Sequence, residues 1–309
     1  MFKSQTVPPD GVLLNAAGSD LRDYFELLKP RVMSLVVFSG LVGLVVAPGH
    51  IHPLLGFVTI LCIAMSAGGC GAVNMWYDRD IDAVMTRTSK RPLPEGRVDP
   101  ETARDFGGAL ILAAVAMMWL AVNGLAAILL AFAAAFYVFI YTMGLKRRTP
   151  QNIVIGGAAG AFPPVIAWAA VSDHVGWPAV FLFLLIFIWT PPHFWALALY
   201  RNEDYRRAGV PMMPVVKGAR RTKIEMLIYT LILFPLSLAP YFTHVAGPAY
   251  VVGAVALSGF FVFCAIRVLR TDDFKPARQM FGFSILYLFL LLSLLLAEHA
   301  ALPFTGRLV

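Results

Sequence analysis

Three oxygen-bearing side chains recur every four residues where a long apolar run ends. They are Asn74, Asp78 and Asp82, and if the run continues as a helix they lie above one another on a single face. Amide and carboxylate oxygens suit Mg²⁺, which typically takes one or two protein carboxylates together with the phosphate oxygens of a substrate. The spacing therefore predicts a divalent-cation site. Asp80 points to another face of the same helix and is not part of that site.

Basic residues follow the three oxygen-bearing side chains at short range. Arg87, Lys90 and Arg91 come within nine residues of Asp82. A solvated helix end whose acids pair with these bases is the alternative interpretation. Asn74 argues against it, because an amide at the membrane boundary needs a partner. Carboxylates for a metal and cationic groups for bare phosphate oxygens are together what a diphosphate requires, so we predict that these three bases bind one.

A second mixture of acids and bases follows a later apolar run. Glu203 and Asp204 are predicted to hold the second side of the metal, and Arg207 to contact phosphate. An ion-paired loop is the alternative for this cluster. Between the two clusters, Lys146 and Arg147 occupy a short basic turn that alone would only set membrane topology. Beside two acidic clusters on the same face, both become candidate phosphate contacts.

One histidine lies next to a break in an apolar run. His193 follows Pro191 and Pro192, which interrupt the helical hydrogen bonds and are tolerated in a bilayer only where protein or a cavity satisfies the backbone. An ionisable group at this depth is costly and is by default a functional candidate. It could ligate iron, transfer a proton or hydrogen-bond a freed carbonyl, and the sequence leaves all three open.

The elements that must position these residues are membrane helices. Of the 309 residues, 59% are hydrophobic and only 14% are charged, whereas soluble domains carry about 25% charged residues, so a soluble enzyme is excluded. Continuous apolar runs exclude a β-barrel. We predict an all-α polytopic membrane protein with nine spans, at residues 32–49, 53–73, 107–122, 125–143, 153–171, 177–198, 224–243, 249–266 and 280–297.

The distribution of basic residues predicts the orientation. With the N-terminus in the cytoplasm, 24 of the 25 Lys and Arg residues lie on the cytoplasmic side, and only Arg307 lies opposite with the C-terminus. The net charge of +7 thus follows from topology and implies no nucleic-acid partner. The N-terminal segment is not an Arg-rich, acid-poor transit peptide, which favours a bacterial inner membrane over a mitochondrial one.

The sequence pattern divides the chain into three parts. Residues 1–31 form a cytoplasmic segment with a short interfacial helix, because Leu21, Tyr24, Phe25 and Leu28 share one helical face. Residues 32–300 form the nine-helix domain, and residues 301–309 a short tail.

These motifs resemble the UbiA-type intramembrane prenyltransferase superfamily. The resemblance rests on Asn74, Asp78 and Asp82 at their four-residue spacing, with Arg87 and Arg91-Pro92-Leu93. Within the superfamily the chain is similar to the branch that acts on protohaem IX, through Leu28–Met33, Tyr141–Gly157, Thr190–Trp195, Glu203–Tyr205 and Gly209–Met212. It departs from the wider superfamily at the second motif, where Glu203-Asp204 with Arg206 and Arg207 replaces another D-x-x-x-D.

The resemblance implies a fold and a reaction. The nine helices would surround a central cavity open near the cytoplasmic side, with Mg²⁺ as cofactor. The enzyme would transfer farnesyl from farnesyl diphosphate to a vinyl group of protohaem IX (haem B), with water addition, giving haem O for terminal oxidases. Asn74, Asp78, Asp82 and His193 would be catalytic, with His193 handling haem. The implied partners are the lipid bilayer and oxidase-assembly proteins.

Two other functions remain open. A prenyltransferase for an aromatic acid or a quinone precursor differs only in its acceptor, and the acceptor depends on the resemblance around His193. A transporter is disfavoured, because the charged groups cluster at one face instead of near the midplane.

Overall fold

The structure is a computed structural model that describes residues 20–305, with side chains to residue 301. Predicted features at residues 1–19 and 306–309, including Arg307, lie outside the described residues. The described chain contains α1 (Leu21–Leu27), α2 (Pro30–Val46), α3 (Pro53–Tyr77), α4 (Arg79–Val84), α5 (Pro100–Ala121), α6 (Gly124–Ala135), a π-helical segment (Phe136–Leu145), α7 (Asn152–Ala161), α8 (Pro163–Ser172), α9 (Trp177–Tyr200), α10 (Asn202–Arg207), α11 (Met213–Leu236), α12 (Ala239–Phe242), α13 (Pro248–Leu269) and α14 (Lys275–Thr305).

Local sequence explains where many of these helices begin. Asp99 and Asn123 cap α5 and α6, accepting hydrogen bonds from the backbone N–H groups of Thr102 at 2.9 Å and Ala126 at 2.8 Å. Proline starts several helices, where its missing N–H costs no helical hydrogen bond, at Pro30, Pro53, Pro100, Pro163 and Pro248.

The predicted all-α membrane fold is confirmed. Eight helical stretches in the described part are long and apolar enough to cross a membrane, and α1 with α2, bent by 56° relative to each other, supplies a ninth. Exposed apolar side chains such as Leu112, Leu120 and Val252 cover the outside, as a lipid-facing surface requires. The last helix continues to Thr305 and so passes the predicted boundary of the tail at residue 300.

The spans form a closed ring. Each span packs against the next along the chain, and α14 returns to contact α2. The fourth span is broken at Phe162, and its second half, α8, packs against α2, α6 and α9 with Pro163 to Ala170 all buried. We call the end of the ring that carries the predicted cytoplasmic loops the basic end. Helix α8 lies toward the opposite end, buried among these spans.

Helix α3, which carries the first acidic motif, is held by a close contact with α5. A Cβ atom on Gly69 would lie 2.6 Å from the carbonyl oxygen of Gly107, and one on Gly107 would lie 2.7 Å from that of Gly69. Real Cβ atoms do not approach backbone so closely, so only glycine permits this helix spacing. Small residues at helix contacts are typical of membrane bundles.

Gly107→Ala is expected to destabilise the fold, because its methyl group would push α5 away from α3. Overpacking of this kind costs about 1–3 kcal/mol. The matched control is Gly108→Ala, since a Cβ atom at Gly108 meets nothing within 4 Å. In thermal unfolding of detergent-solubilised protein, Gly107→Ala should melt at a lower temperature and Gly108→Ala at an unchanged or higher one. Equal melting temperatures for the two variants would contradict the packing argument.

Candidate functional site

The junction of α3 and α4 brings the three predicted oxygen-bearing side chains together. The helix breaks at Asp78, yet the N–H of Asp78 bonds to the carbonyl of Asn74 at 3.0 Å and that of Asp82 to the carbonyl of Asp78 at 2.8 Å. The four-residue register therefore survives the break. The side chains of all three residues are buried, with Asp78 fully removed from solvent.

Each of the two buried carboxylates is paired with a cation from another part of the chain. The ammonium group of Lys146 contacts Asp78, and Arg91 donates to Asp82 at 2.6 Å. The amide nitrogen of Asn74 donates to Asp78 at 2.7 Å and to the hydroxyl of Thr142 at 3.2 Å. Buried carboxylates need such partners, since an uncompensated charge there is strongly destabilising.

A π-helical turn places Lys146 and Thr142 beside the carboxylates. The N–H of Lys146 donates to the carbonyl of Tyr141 at 2.9 Å, five residues back, and the segment Phe136–Leu145 has this wider winding throughout. Such turns are rare and often occur at functional sites. The ring of Tyr141 lies against Gly156, where a Cβ atom would be 2.1 Å from it. Glycine in α7 thus makes room for the wide turn.

Lys29 lies in the Leu28–Met33 motif, but the sequence did not predict that it contacts the site. Its ammonium group donates to the amide oxygen of Asn74 at 2.7 Å, which completes the hydrogen bonds of that amide. Lys29 lies at the break between α1 and α2 with φ of 52°. This left-handed conformation costs a non-glycine residue about 1–2 kcal/mol and is concentrated at functional sites. The sequence signal was a lysine directly before the proline that starts a span.

Arg97 joins α1 to the loop that carries the predicted phosphate-binding residues. Its guanidinium group pairs with Asp23, with Glu26 at 3.2 Å and with Glu95 at 2.9 Å. It also donates to the backbone carbonyl of Lys90 at 3.1 Å. The position of α1 therefore depends on this loop.

Arg147 lies near the buried carboxylates, but its main ion pair is with Asp80. Two of its nitrogen atoms each donate to Asp80 at 2.7 Å, whereas its closest approach to Asp78 is 3.5 Å. The hydrogen bonds from Arg147 hold the pKa of the exposed Asp80 carboxyl below its usual value. Arg147 also stacks on the ring of Tyr77, 4.9 Å from its centroid. A phosphate contact by Arg147 would require it to release Asp80.

In the second acidic cluster, Asp204 is buried and Glu203 is exposed to solvent. Asp204 is buried and accepts a hydrogen bond from Thr86 in the first loop at 3.0 Å, and Arg207 pairs with it. Burial raises the pKa of Asp204, but the bonds from Arg207 and Thr86 outweigh burial and leave the pKa below its usual value. Glu203 has a side chain that is 68% exposed, and it pairs with Arg206 at 3.1 Å. To bind a metal beside Asp204, as predicted, Glu203 would have to leave Arg206.

Arg87 and Lys90 have exposed side chains on the first loop. Within residues 20–301, neither side chain makes a hydrogen bond or an ion pair. Burial raises the pKa of Tyr205, and the charge of Arg87 opposes that rise. Both remain candidates for phosphate binding, because neither has to break an existing contact.

His193 is buried in α9, seven residues before that helix ends at Tyr200, or about 10 Å along the axis. Its Nδ1 atom lies 2.6 Å from the hydroxyl of Ser284 in α14. The ring therefore bonds to a hydroxyl group and not to a backbone carbonyl freed by the prolines, which was one of the predicted alternatives. A backbone carbonyl one turn before the prolines, that of Ile186, is instead bonded by Thr190 at 2.8 Å.

The donor set fits Mg²⁺ shared with a substrate. No group of three or more His, Cys, Asp or Glu side chains able to hold a metal converges within the described residues. An all-protein metal cage is therefore absent from that part of the chain. Asp78 and Asp82 with the amide of Asn74 are the small oxygen set that Mg²⁺ uses when a phosphate supplies the remaining ligands.

Comparison with known proteins gives one consistent result. A model of the UbiA prenyltransferase family matches residues 36–295. The protoheme IX farnesyltransferase of Acidiphilium cryptum is 57% identical over 308 residues, covering 96% of this chain and 97% of the relative. That of Agrobacterium fabrum is 54% identical, with 96% of each chain covered.

Solved structures share the architecture. A digeranylgeranylglyceryl phosphate synthase has a TM-score of 0.76 at 19% identity, covering 90% of this chain and 98% of its own. A UbiA homolog from Archaeoglobus fulgidus, bound to DMAPP and Mg²⁺, has a TM-score of 0.64 at 18% identity, covering 88% and 99%. At these identities the likeness shows the fold.

Lys29→Met is expected to weaken the binding of Mg²⁺–pyrophosphate, because a metal on the amide oxygen of Asn74 would displace the ammonium group of Lys29, which would then donate to phosphate. Loss of one charge-assisted hydrogen bond, about 1.5–3 kcal/mol, corresponds to a tenfold or greater loss of affinity. Isothermal titration calorimetry on purified protein measures it. Arg22→Met is the control, since it removes one exposed positive charge from the same region. If both variants bind as wild type does, Lys29 is not part of the phosphate site.

Proposed function

Because the chain belongs to the UbiA prenyltransferase family, we propose that it transfers the farnesyl group of farnesyl diphosphate to a vinyl group of protohaem IX. Water adds in the same reaction and the product is haem O. The observation that supports farnesyl diphosphate as the donor is the pair of buried carboxylates at the basic end, Asp78 and Asp82, which are ion-paired with Lys146 and Arg91. Protohaem IX as the acceptor is supported by the relatives, which are named protoheme IX farnesyltransferase.

The paired charges suit a diphosphate because each pair can exchange partners on binding. Asn74, Asp78 and Asp82 would hold Mg²⁺, and the cations they release, Lys146 and Arg91, would turn to phosphate oxygens. Breaking a buried ion pair on one side alone costs about 3–5 kcal/mol, so neither carboxylate gives up its cation without a replacement. A metal-bound diphosphate would supply Mg²⁺ to the carboxylates and phosphate oxygens to the released cations at the same time.

The reaction would begin with cleavage of the allylic carbon–oxygen bond, whose electron pair leaves with the diphosphate. Mg²⁺, when bound, neutralises the charge that develops on the departing group. Lys146, Arg91 and Lys29 supply preorganised cationic donors for the same charge. The vinyl π electrons of the haem then form the new carbon–carbon bond. A water oxygen bonds to the resulting cationic carbon and loses a proton.

The apolar bundle would hold the C15 chain and exclude water until the vinyl group has reacted. Burial of each CH₂ group stabilises the bound chain by about 0.8 kcal/mol. Helix α8, whose residues Pro163 to Ala170 are buried among α2, α6 and α9, would hinder the entry of water from the far end. His193 is our candidate for contact with the haem, and Arg87, Lys90 and Arg207 for contact with phosphate.

The proposed reaction is tested by product mass. Purified protein with Mg²⁺, farnesyl diphosphate and protohaem IX should yield haem O, and chelation of Mg²⁺ should abolish the product. Asp78→Asn should lower turnover by about 100-fold or more, because it removes a charge that holds the metal. Asp105→Asn, an exposed carboxylate on α5, is the matched control and should keep full activity. Product from hydroxybenzoate instead of haem would replace the acceptor we propose, and substrate uptake without any new product would indicate a transporter.

We further propose that the protein lies in a bacterial inner membrane with the basic end in the cytoplasm. Nearly all its Lys and Arg residues lie at that end, as the positive-inside rule requires. The three native cysteines are buried, so introduced cysteines report the topology with little background. In intact cells a membrane-impermeant maleimide should label His174→Cys, and it should label Asp273→Cys only after the cells are opened. The reverse pattern would invert the orientation.

A further inference from the structure

The ring of His193 is held so that only its edge is available. Trp189 stacks on it with ring centroids 4.3 Å apart and an interplanar angle of 16°, and Phe281 stacks at 4.7 Å and 21°. Two of its neighbours, Phe281 and Ser284, belong to α14, whereas Trp189 belongs to α9 with the histidine itself. The chemistry of the ring therefore depends on its two nitrogen atoms.

Counting the protons around Ser284 decides which nitrogen carries hydrogen. The hydroxyl of Ser284 lies 2.6 Å from the carbonyl oxygen of Phe281 and 2.6 Å from Nδ1 of His193. A hydroxyl has a single hydrogen to donate, and a carbonyl can only accept. If that hydrogen pointed to His193, two oxygen atoms would face each other at 2.6 Å with no proton between them. Ser284 must therefore donate to Phe281 and accept from Nδ1–H.

The other nitrogen of the ring then holds a lone pair. A neutral imidazole with its proton on Nδ1 has none on Nε2. Within the described residues Nδ1 is the ring atom of His193 that makes a hydrogen bond, and Nε2 has no partner. The indole N–H of Trp189 donates to the backbone carbonyl of Ser284 at 2.9 Å, so the stacking residue and the hydroxyl are fixed to each other. The lone pair is thus held in a defined orientation.

We propose that Ser284 is a positioning residue, which fixes the Nδ1–H tautomer of His193 so that Nε2 donates its lone pair to the iron of the haem acceptor. This inference rests on the proposed function and assigns one of the three roles that the sequence left open for His193. Histidines that bind a metal usually donate their other ring N–H to an oxygen, which sets the tautomer and the ring orientation. Loss of such a partner typically lowers metal affinity or activity by about 10–100-fold.

The tautomer can be measured without any substrate. Solid-state NMR of the full-length protein in lipid, labelled with ¹⁵N-histidine, distinguishes protonated from unprotonated ring nitrogens, and His193→Ala identifies the signal of His193. Wild type should show Nδ1–H. Ser284→Ala should lose this single state, and Ser284→Thr, which keeps the hydroxyl, should restore it. An Nε2–H signal in wild type, or an unchanged spectrum in Ser284→Ala, would overturn the inference.

Titration with ferric protohaem separates this inference from the proposed function. Ser284→Ala should weaken haem binding about tenfold and, after reduction of the bound haem to the ferrous state, shift the iron–histidine stretching band in the resonance Raman spectrum, with Ser284→Thr close to wild type. Mg²⁺–pyrophosphate affinity should stay unchanged in both, which shows that they are folded. If His193→Ala leaves the haem spectrum unaltered, the haem contact in the proposed function fails. If His193→Ala alters it and Ser284→Ala does not, only the role of Ser284 fails.

Discussion

Neutralisation of two buried carboxylates is the constraint around which the basic end of this protein is built. Asp78 and Asp82 lie at the end of an apolar helix, where an unpaired negative charge would be strongly destabilising. The main partner of Asp78 is Lys146, which follows the π-helical segment packed against α3, and the partner of Asp82 is Arg91 from the first loop. Under the proposed function, folding without ligand and binding of a metal diphosphate would use the same charges.

The helices that carry these charges have irregular geometry where the charges lie. Helix α3 breaks at Asp78, the segment before Lys146 winds as a π helix, and Lys29 adopts a left-handed conformation between two helices. Regular helices elsewhere, packed through contacts such as Gly69 against Gly107, hold these irregular points in place. Local strain is tolerated because the surrounding packing determines the position of the backbone.

Much of the fold and part of the site could be predicted from the sequence. The spans follow from apolar runs, and the alignment of Asn74, Asp78 and Asp82 follows from helical periodicity, which a break at Asp78 leaves intact. Lys29, Thr142 and Ser284 could not be found in this way, because each becomes significant only through a contact distant in sequence.

In the second acidic motif the structure places the two predicted ligands differently. Glu203 and Asp204 are adjacent in the short helix α10, and adjacent residues of a helix point about 100° apart, so only one of them faces the first loop. Residue composition alone could not predict that Asp204 is buried while Glu203 is exposed. The same geometry made the spacing of the first motif informative.

The central claim is that buried carboxylates and their cations exchange partners when a metal diphosphate binds. An experimental structure of the protein with Mg²⁺ and a non-reactive thiolo analogue of farnesyl diphosphate tests this most directly. We expect the ammonium group of Lys146 and the guanidinium of Arg91 within hydrogen-bond distance of phosphate oxygens, with Asp78 and Asp82 facing the metal. A complex in which Lys146 still contacts Asp78 and Arg91 still contacts Asp82, with the diphosphate bound elsewhere, would contradict the account.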